Sequence, residues 1–201
     1  TQGQHDDPFA LLGPHRTKGG DRQVTAFDPG AKQMWAVIGS DIHPLDPLPD
    51  APGIFRGKVP GDAPYHLRGA AGEDSWDYED PYRFGPVLGE MDEYLLGEGS
   101  HLRMWEALGA HVMEHEGCQG THFAVWAPNA KRATGVWEIF IPNVGDGALY
   151  RYEILGPDGH LQPRKADPVG FGSEHPPANA SIVRDIREYG WSDGDWMTKR
   201  E

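Results

Sequence analysis

Three short runs of apolar and aromatic residues give the clearest pattern in the sequence. They lie at residues 120–129, 135–142 and 147–155. In the last run, Tyr150 and Tyr152 alternate with Arg151, and the alternation continues through Glu153 and Ile154. A period of two predicts a strand with one face on a core and the other in water. Pro, Gly or Asn follows each run, as is usual where strands end. The pattern therefore predicts one half of an antiparallel β-sandwich.

The first half of the chain carries further short strand-like runs, separated by turns rich in Pro, Gly and Asp. The runs are residues 24–27, 34–38, 54–59, 65–68 and 76–79. Short strands at regular spacing are typical of a second sandwich. The Pro-dense stretch 44–52 is expected to be a loop, and Asp7 is expected to cap a helical turn that starts at Pro8.

Before residue 110 the apolar spacing becomes helical. Leu102 and Trp105 are three apart, and Met104 and Leu108 are four apart. Helices with this spacing are expected to pack on the core of the first module and to close it. The predicted helices are residues 92–96 and 102–108.

With 201 residues, the chain can form one ordinary domain or two small ones. We predict an N-terminal β-sandwich module with short helices over residues 1–112 and a second β-sandwich module over residues 113–201. Residues 110–119 carry Gly, His and Glu without a long apolar run, and are expected to be the linker.

The amino-acid sequence of these runs also resembles that of a known family. The stretches FAVWAPNAKR, GVWEIFIPNVGDGALYRYEILGPDG and KADP resemble the sugar-binding module of bacterial 1,4-α-glucan (glycogen) branching enzymes. The stretches DPFALLGPH and DPYRFGPVLGEMDEYLLGEGSHLRMWEALGAH resemble the N-terminal module of the same enzymes. The resemblance covers nearly the whole chain.

The resemblance implies a mainly β fold with two immunoglobulin-like β-sandwich modules, the second a family 48 carbohydrate-binding-like module. Such enzymes belong to glycoside hydrolase family 13. They cut an α-1,4-glucan, hold the piece as a covalent intermediate and transfer it to a 6-hydroxyl, which makes an α-1,6 branch in glycogen. The implied partners are the glucan and the enzyme's own catalytic barrel, and no metal or organic cofactor is expected. The alternatives are a stand-alone carbohydrate-binding or regulatory module without catalysis, and a structural spacer.

One departure from the family pattern lies between Ala133 and Thr134. The family has about twenty more residues there, enough for a strand and a turn. We therefore predict that these two residues are not peptide-bonded neighbours, which the distance between their Cα atoms tests.

Charge limits the partners of this chain. Its formal charge is −13 and its pI is about 5.1, so it repels phosphate backbones and anionic membrane surfaces. A neutral glucan is indifferent to this charge. Cys118 is the single cysteine, no apolar leader opens the sequence, and no run reaches the ~20 apolar residues of a membrane span. A cytoplasmic protein is expected.

Acidic clusters are the first candidates for chemistry, because retaining glycosyl transfer needs two carboxylates about 5 Å apart. They are Glu73 with Asp74, Asp77 with Glu79 and Asp80, and Glu90 with Asp92 and Glu93. We interpret them as solvated acidic faces. The family's catalytic carboxylates lie in a (β/α)₈ barrel of about 250 residues, so no catalytic residue is expected in this segment.

The candidate metal ligands are the side chains of His111, His115, Cys118 and His122. A polar linker is the favoured interpretation, so no metal site is predicted.

Aromatic rings that stack on glucose are the third kind of candidate. Trp126, Trp137, Tyr150 and Tyr152 are expected to be core residues. Where related modules carry a stacking Trp, this chain has Leu161 and Gln162. The carbohydrate-binding candidates are therefore Trp76, Tyr78 and Lys165, which are expected in exposed loops.

Overall fold

The computed structural model describes residues 7–127, 135–154, 156, 160–188, 190, 192, 196, 198 and 199. Within them the fold is mainly β and all strand pairs are antiparallel, which confirms the predicted class of β-sandwich modules. The strands are β1 (Gly13–Arg16), β2 (Arg22–Phe27), β3 (Gln33–Ile38), β4 (Asp41–Pro47), β5 (Ile54–Lys58), β6 (His66–Ala71), β7 (Asp74–Tyr78), β8 (Gly109–His115), β9 (Cys118–Trp126), β10 (Val136–Pro142), β11 (Leu149–Tyr150) and β12 (Ser181–Ile182). The helices are α1 (Glu90–Gly97) and α2 (Met104–Ala107), with 3-10 turns at Pro8–Ala10, Pro81–Arg83 and Ile186–Glu188.

The first seven strands form one sheet in the order β1-β2-β5-β4-β3-β6-β7. Strand β4 pairs with β3 from Asp41 to Leu45, and then with β5 at Asp46 and Pro47. Because β4 changes partner along its length, the sheet curls and its two halves enclose a core, as in a sandwich. The core residues are Val24, Ala26, Met34, Ala36, Leu45, Phe55, Val59, Tyr65 and Leu67.

A buried polar contact closes this core at its end. The Tyr65 hydroxyl donates to Asp80 Oδ2 at 2.6 Å, and the Tyr82 amide donates to Asp80 Oδ1 at 3.0 Å. Burial raises the pKa of Asp80, and burial together with the Asp80 charge raises the pKa of Tyr65. Asp80 thereby caps the Pro81–Arg83 turn, which leads out of the seven-stranded sheet.

The second sheet has the order β10-β9-β8. A hairpin joins β8 to β9 through Glu116 and Gly117, whose φ angles are 47° and 78°. Two positive φ values are the signature of a type I′ turn, in which Gly is the favoured residue. The expected linker at residues 110–119 was therefore wrong, because most of it is a paired hairpin.

The second sheet is covered on both faces. On one face Leu96 of α1 and Ala107 of α2 pack with Ala124 and Val136. On the other face Phe123 packs with Val183 and with neighbours that include Tyr150. Successive residues of β9 point to opposite faces, so Phe123 and Ala124 belong to different layers. The helices thus cover the second sheet, and not the core of the first module as expected.

Most predicted elements are present with shifted ends. The predicted loop at 44–52 was wrong in its first part, since β4 extends to Pro47, and Pro is tolerated there because β4 changes partner. The predicted helix at 102–108 is one turn long. Within the described residues of the run 147–155, the strand is Leu149–Tyr150 and an isolated bridge follows at Tyr152. The cap that Asp7 gives the Pro8 turn is confirmed by a 3.0 Å hydrogen bond from the Phe9 amide.

The segment after the Pro81–Arg83 turn lies against the second sheet. The Phe84 ring packs edge-on against Phe140 at 4.9 Å, and the His115 ring donates to the Gly85 carbonyl at 3.0 Å. The division into modules at residue 112 stays a prediction, although β8 runs across that position.

The prediction for Ala133 and Thr134 lies outside the described residues. On either side of this segment, β9 and β10 are direct neighbours in one sheet, with Trp126 opposite Val136.

In the part of the chain that the structure describes, no helix has the length and apolar character that crossing a membrane requires.

Candidate functional site

An open cleft of ≈ 580 Å³ lies beside β11. A cleft of this size can hold a short stretch of sugar rings. Its lining combines two guanidinium groups, a carboxylate and apolar surface. The lining residues are Leu149, Tyr150, Arg151, Glu153, Arg164 and Ala180.

Hydrogen bonds to Asp167 hold the tyrosines beside this cleft. The hydroxyls of Tyr150 and Tyr152 both donate to Asp167 Oδ2, at 2.8 Å and 3.0 Å. Asp167 is held in turn, because its amide donates to the Ser181 hydroxyl at 2.8 Å and its Oδ1 accepts from the Val169 amide. Burial and the Asp167 carboxylate raise the pKa of both tyrosines. The two rings are therefore rigid and neutral.

The predicted alternation is confirmed at Tyr150 and Tyr152, which share Asp167 while Arg151 and Glu153 are exposed and line the cleft. It fails at Ile154, which was predicted on the side of the tyrosines and is 42% exposed. Arg151 lies 3.7 Å from Glu174, and Arg164 donates to Glu153 at 2.8 Å. Paired guanidinium and carboxylate groups present donors and acceptors side by side. Such a surface suits vicinal hydroxyl groups and leaves little net charge to attract ions.

Of the three predicted carbohydrate-binding residues, Lys165 lies beside the cleft. Its backbone pairs with Tyr152 through two hydrogen bonds of 2.8 Å and 2.9 Å, and its side chain is exposed. It follows Arg164 directly.

Trp76 and Tyr78 lie on the seven-stranded first sheet, away from Lys165. The structure therefore does not bring the three residues together. Both are half-buried on strand β7, and their expected placement in exposed loops was wrong. The Trp76 indole donates to Asp28 Oδ2 at 2.9 Å and covers Gly69, where a Cβ would lie 2.7 Å from the ring. Tyr78 packs against the first core. Their role in binding stays a prediction.

Several carboxylates of the acidic clusters are engaged in structural contacts, whereas Glu73, Asp74 and Glu90 are exposed. The interpretation as a solvated face was wrong for Asp80, which is buried. Arg68 contacts Asp77 through two hydrogen bonds, of 2.6 Å and 2.9 Å, and Arg83 donates to Glu79. Asp92 accepts from the His101 ring at 3.0 Å. These acids stabilise strands and turns.

Each of the four candidate metal ligands has a partner within the fold. The His111 ring donates to the Leu108 carbonyl at 3.0 Å, His122 pairs with Glu138 at 3.0 Å, and Arg83 donates to Cys118 Sγ at 3.2 Å. No group of three or more His, Cys, Asp or Glu side chains that could hold a metal ion occurs among the described residues.

Sequence reasoning missed the role of Arg151, Glu153 and Arg164. The alternation already placed the first two on the face opposite the tyrosines. Arg164 gives no such signal, because its place depends on the pairing of Tyr152 with Lys165, which lies further along the chain.

The family model and the relatives that match this chain carry the same enzyme name. Residues 1–82 match the family model of the N-terminal domain of alpha-1,4-glucan branching enzyme GlgB. A 1,4-alpha-glucan branching enzyme GlgB from Roseobacter denitrificans is 49% identical over 98% of this chain and 30% of its own length. Enzymes of the same name from Cereibacter sphaeroides and Rubrobacter xylanophilus are 45% and 46% identical over 100% and 98% of this chain, and over 31% and 30% of theirs.

Two further facts follow from these comparisons. The chain spans about a third of the length of the curated relatives that it matches. The alignment with the Roseobacter enzyme runs over 225 positions, whereas this chain has 201 residues, so that relative carries residues without a counterpart here. The resemblance drawn from the sequence motifs is thus confirmed, and the chain is the counterpart of the N-terminal region of the 1,4-α-glucan branching enzyme family.

Proposed function

We propose that this chain is the glucan-positioning N-terminal part of a 1,4-α-glucan branching enzyme. The complete enzyme cleaves an α-1,4-glucan and transfers the piece to a 6-hydroxyl, which forms an α-1,6 branch in glycogen. The observation that carries the proposal is the 49% identity over 98% of the chain to a protein of that name. The partners in this proposal are the glucan and the enzyme's own catalytic barrel, without nucleic acid, membrane or cofactor.

The proposal assigns binding, and no chemical step, to the residues described above. Arg151 offers hydrogen-bond donors and Glu153 offers acceptors to sugar hydroxyls, and Leu149 offers apolar surface to the faces of the rings. A cytoplasmic location completes the proposal, because a chain with one cysteine forms no internal disulfide and suits a reducing compartment.

The activity is tested with amylose as substrate. We expect the complete protein that contains these residues to form α-1,6 branches, and residues 1–201 alone to form none. The iodine spectrum and the chain lengths after debranching measure both results. A complete protein that binds glycogen without branching it would favour the stand-alone binding module, and new branches made by residues 1–201 alone would refute the assignment.

The cleft is tested with the double variant Arg151→Gln/Arg164→Gln in the complete protein. Loss of charge-assisted hydrogen bonds should weaken binding of maltooligosaccharides about tenfold, or ~1.4 kcal/mol. Affinity electrophoresis in glycogen gels measures this retardation. The matched control is Arg68→Gln, which removes another arginine that is paired with a carboxylate on the first sheet. Equal retardation of both variants would exclude the cleft.

Trp76, Tyr78 and Lys165 remain proposed carbohydrate contacts. Lys165→Ala should add to the effect of the cleft variant, because the two sites adjoin. Trp76→Phe removes the indole N–H, and with it the hydrogen bond to Asp28, but keeps an aromatic ring. In the same gel it separates a stacking role from a structural one.

A further inference from the structure

A second open cleft, of ≈ 400 Å³, lies at one end of the first sheet. It is lined by the end of β1, the start of β2, part of the turn that joins them and the chain after β5. Its charged lining residues are Arg16, Asp21, Arg22 and Lys58, and residues 59–61 complete the lining. We call this opening the basic cleft, because cations predominate there although the whole chain has 18 Lys and Arg against 31 Asp and Glu.

Strand pairing places three cationic side chains at the basic cleft. Arg16 lies directly opposite Arg22 in the ladder between β1 and β2. The Val59 amide donates to the Arg22 carbonyl at 2.9 Å, so the end of β5 lies beside the start of β2 and brings Lys58 to the same opening. Like charges that lie opposite each other in a ladder destabilise a sheet. A negative charge in the cleft would therefore relieve the repulsion between these side chains.

Two of the three cations have carboxylate partners at the surface. Arg16 pairs with Asp62, and Lys58 donates to Asp21 Oδ2 at 2.6 Å. The four side chains are exposed by 56%, 74%, 71% and 54%, in that order. Ion pairs as exposed as these contribute little to stability, because water and salt screen them. An anion that contacts several cations at once can therefore displace either carboxylate without disturbing the fold.

Arg22 differs from the other two cations, because neutral groups hold its side chain. Its Nη1 donates to the Ala63 carbonyl at 2.7 Å, and its guanidinium carbon lies 5.0 Å from the centre of the Tyr65 ring. That ring is fixed in turn, because the Tyr65 hydroxyl donates to the buried Asp80 carboxylate. Among the residues that the structure describes, no carboxylate forms an ion pair with Arg22. The basic cleft therefore contains a half-buried guanidinium that is already oriented and whose charge is not paired.

These groups suit a phosphate better than a neutral ligand. An arginine binds a phosphate through two parallel N–H donors, and a lysine adds a mobile point charge. A neutral sugar would leave the repulsion between the opposed arginines in place. The volume of the cleft lies within the range of small-molecule sites, about 300–1,000 Å³, so a phosphate that carries one sugar ring can also enter.

The net charge of −13 does not exclude a small anion. At physiological ionic strength, exposed charges more than about 8 Å apart are largely screened from each other. A phosphate in the basic cleft would therefore interact mainly with the cations that line it. A nucleic acid backbone is longer and would also meet acidic side chains beyond the cleft.

We propose that the basic cleft binds a phosphate group, either as the free ion or as the phosphomonoester of a small sugar. Arg22 and Arg16 donate to the phosphate oxygens, and Lys58 lies at the rim. The bound anion joins the hairpin of β1 and β2 to the end of β5. This site lies on the first sheet, apart from the cleft beside β11, and does not depend on the branching reaction.

Isothermal titration calorimetry of the complete protein tests the site, with inorganic phosphate and glucose 6-phosphate as separate ligands and glucose as the neutral control. We expect saturable anion binding with a Kd below about 1 mM. Equal affinities for the two anions would identify free phosphate as the ligand. Tighter binding of glucose 6-phosphate would identify a sugar phosphomonoester.

The double variant Arg16→Gln/Arg22→Gln should weaken the binding of both anions about tenfold or more, because hydrogen bonds to a charged group are lost. Any affinity for glucose should stay unchanged. The matched control is Arg68→Gln on β6 of the same sheet, which removes an arginine that pairs with Asp77 outside the basic cleft. The control should leave the affinity for both anions unchanged.

A second variant makes the test independent of any loss of folding. Asp21→Asn/Asp62→Asn removes the two carboxylates that compete with the ligand, and should strengthen the binding of both anions about threefold. Misfolding cannot produce such a gain in affinity.

Several results would overturn the proposal. One is the absence of saturable binding of either anion up to about 10 mM. Another is equal weakening of anion binding by Arg16→Gln/Arg22→Gln and by Arg68→Gln. An affinity for glucose that falls in parallel with that for the anions would assign the cleft to neutral sugars. Unchanged or weaker anion binding by Asp21→Asn/Asp62→Asn would also contradict a site in which the carboxylates compete with the ligand.

Discussion

His111 lies half-buried on β8 and is a group through which pH acts on stability. Burial lowers its pKa below the ordinary value of about 6.5 and the adjacent His122 lowers it further, whereas the Leu108 carbonyl, Asp167 and Glu106 act in the opposite direction. Because the pKa is lower in the folded state, the unfolded chain binds more protons between the two pKa values. The stability that His111 contributes is therefore present above pH 6.5 and is lost as the pH falls through the folded pKa.

The variant His111→Gln tests this linkage, because Gln can still donate to Leu108 and does not titrate. Its free energy of unfolding should fall less than that of the wild type between pH 7.5 and pH 5. Urea unfolding at the two pH values measures the difference. Parallel losses in the two proteins would show that another group carries the pH dependence.

At the scale of elements, one carboxylate joins a loop to the second sheet. Glu138 Oε2 on β10 accepts from the amides of Val87 and Leu88, at 2.9 Å and 3.0 Å, and also pairs with His122. Burial alone would raise the pKa of Glu138. Its hydrogen bonds from His122 and the two amides outweigh burial, so its pKa lies below the usual value. Glu138 therefore stays charged and holds the loop through neutral pH.

Replacing Glu138 by Ala should destabilise the protein strongly, because it leaves two half-buried amides and the buried His122 ring without their acceptor. A loss of about 2–4 kcal/mol is expected, since unsatisfied buried groups cost ~1–3 kcal/mol each and the effects are not additive. Urea unfolding measures it. The matched control Glu106→Ala removes an exposed carboxylate paired with Arg103 and should cost less than about 1 kcal/mol. Similar losses in the two variants would contradict this role of Glu138.

Sequence patterns predicted the strands whose alternation is local, such as β2, β3 and β10. The same patterns gave wrong predictions where a strand forms because of a pairing partner that is distant in sequence. Pro44 suggested a loop, but β4 keeps its ladder because it exchanges β3 for β5 near that point. His111 and Glu114 suggested a linker, but the turn at Glu116 and Gly117 pairs them with β9. Local polarity cannot reveal a long-range partner.

The same limit applies to the cleft. The outward positions of Arg151 and Glu153 follow from a period of two, which the sequence displays. The position of Arg164 follows from one bridge between Tyr152 and Lys165, which no periodicity encodes. Trp76 was misplaced for a related reason, since its ring is held by Asp28, 48 residues earlier in the chain.

At the scale of the molecule, the β8–β9 hairpin anchors the chain that leaves the first sheet. Its tip residues contact Gly85 twice, since the Glu116 carboxylate accepts from the Gly85 amide and the His115 ring donates to the Gly85 carbonyl. Phe84 packs beside them against Phe140 and His115. The two sheets are therefore connected through packed side chains where a flexible linker was expected.

Limited proteolysis with a glutamate-specific protease tests this connection. Cleavage after Glu114 and Glu116 should be slow, because paired strands and a bound turn do not fit a protease, whereas the exposed turn at Glu98 should be cut first. Phe84→Ala removes a 5% exposed ring from the contact and should make the hairpin sites cleavable. Phe27→Ala, at an exposed aromatic of β2, is the control. Rapid cleavage after Glu116 in the wild type would restore a flexible linker between two separable modules.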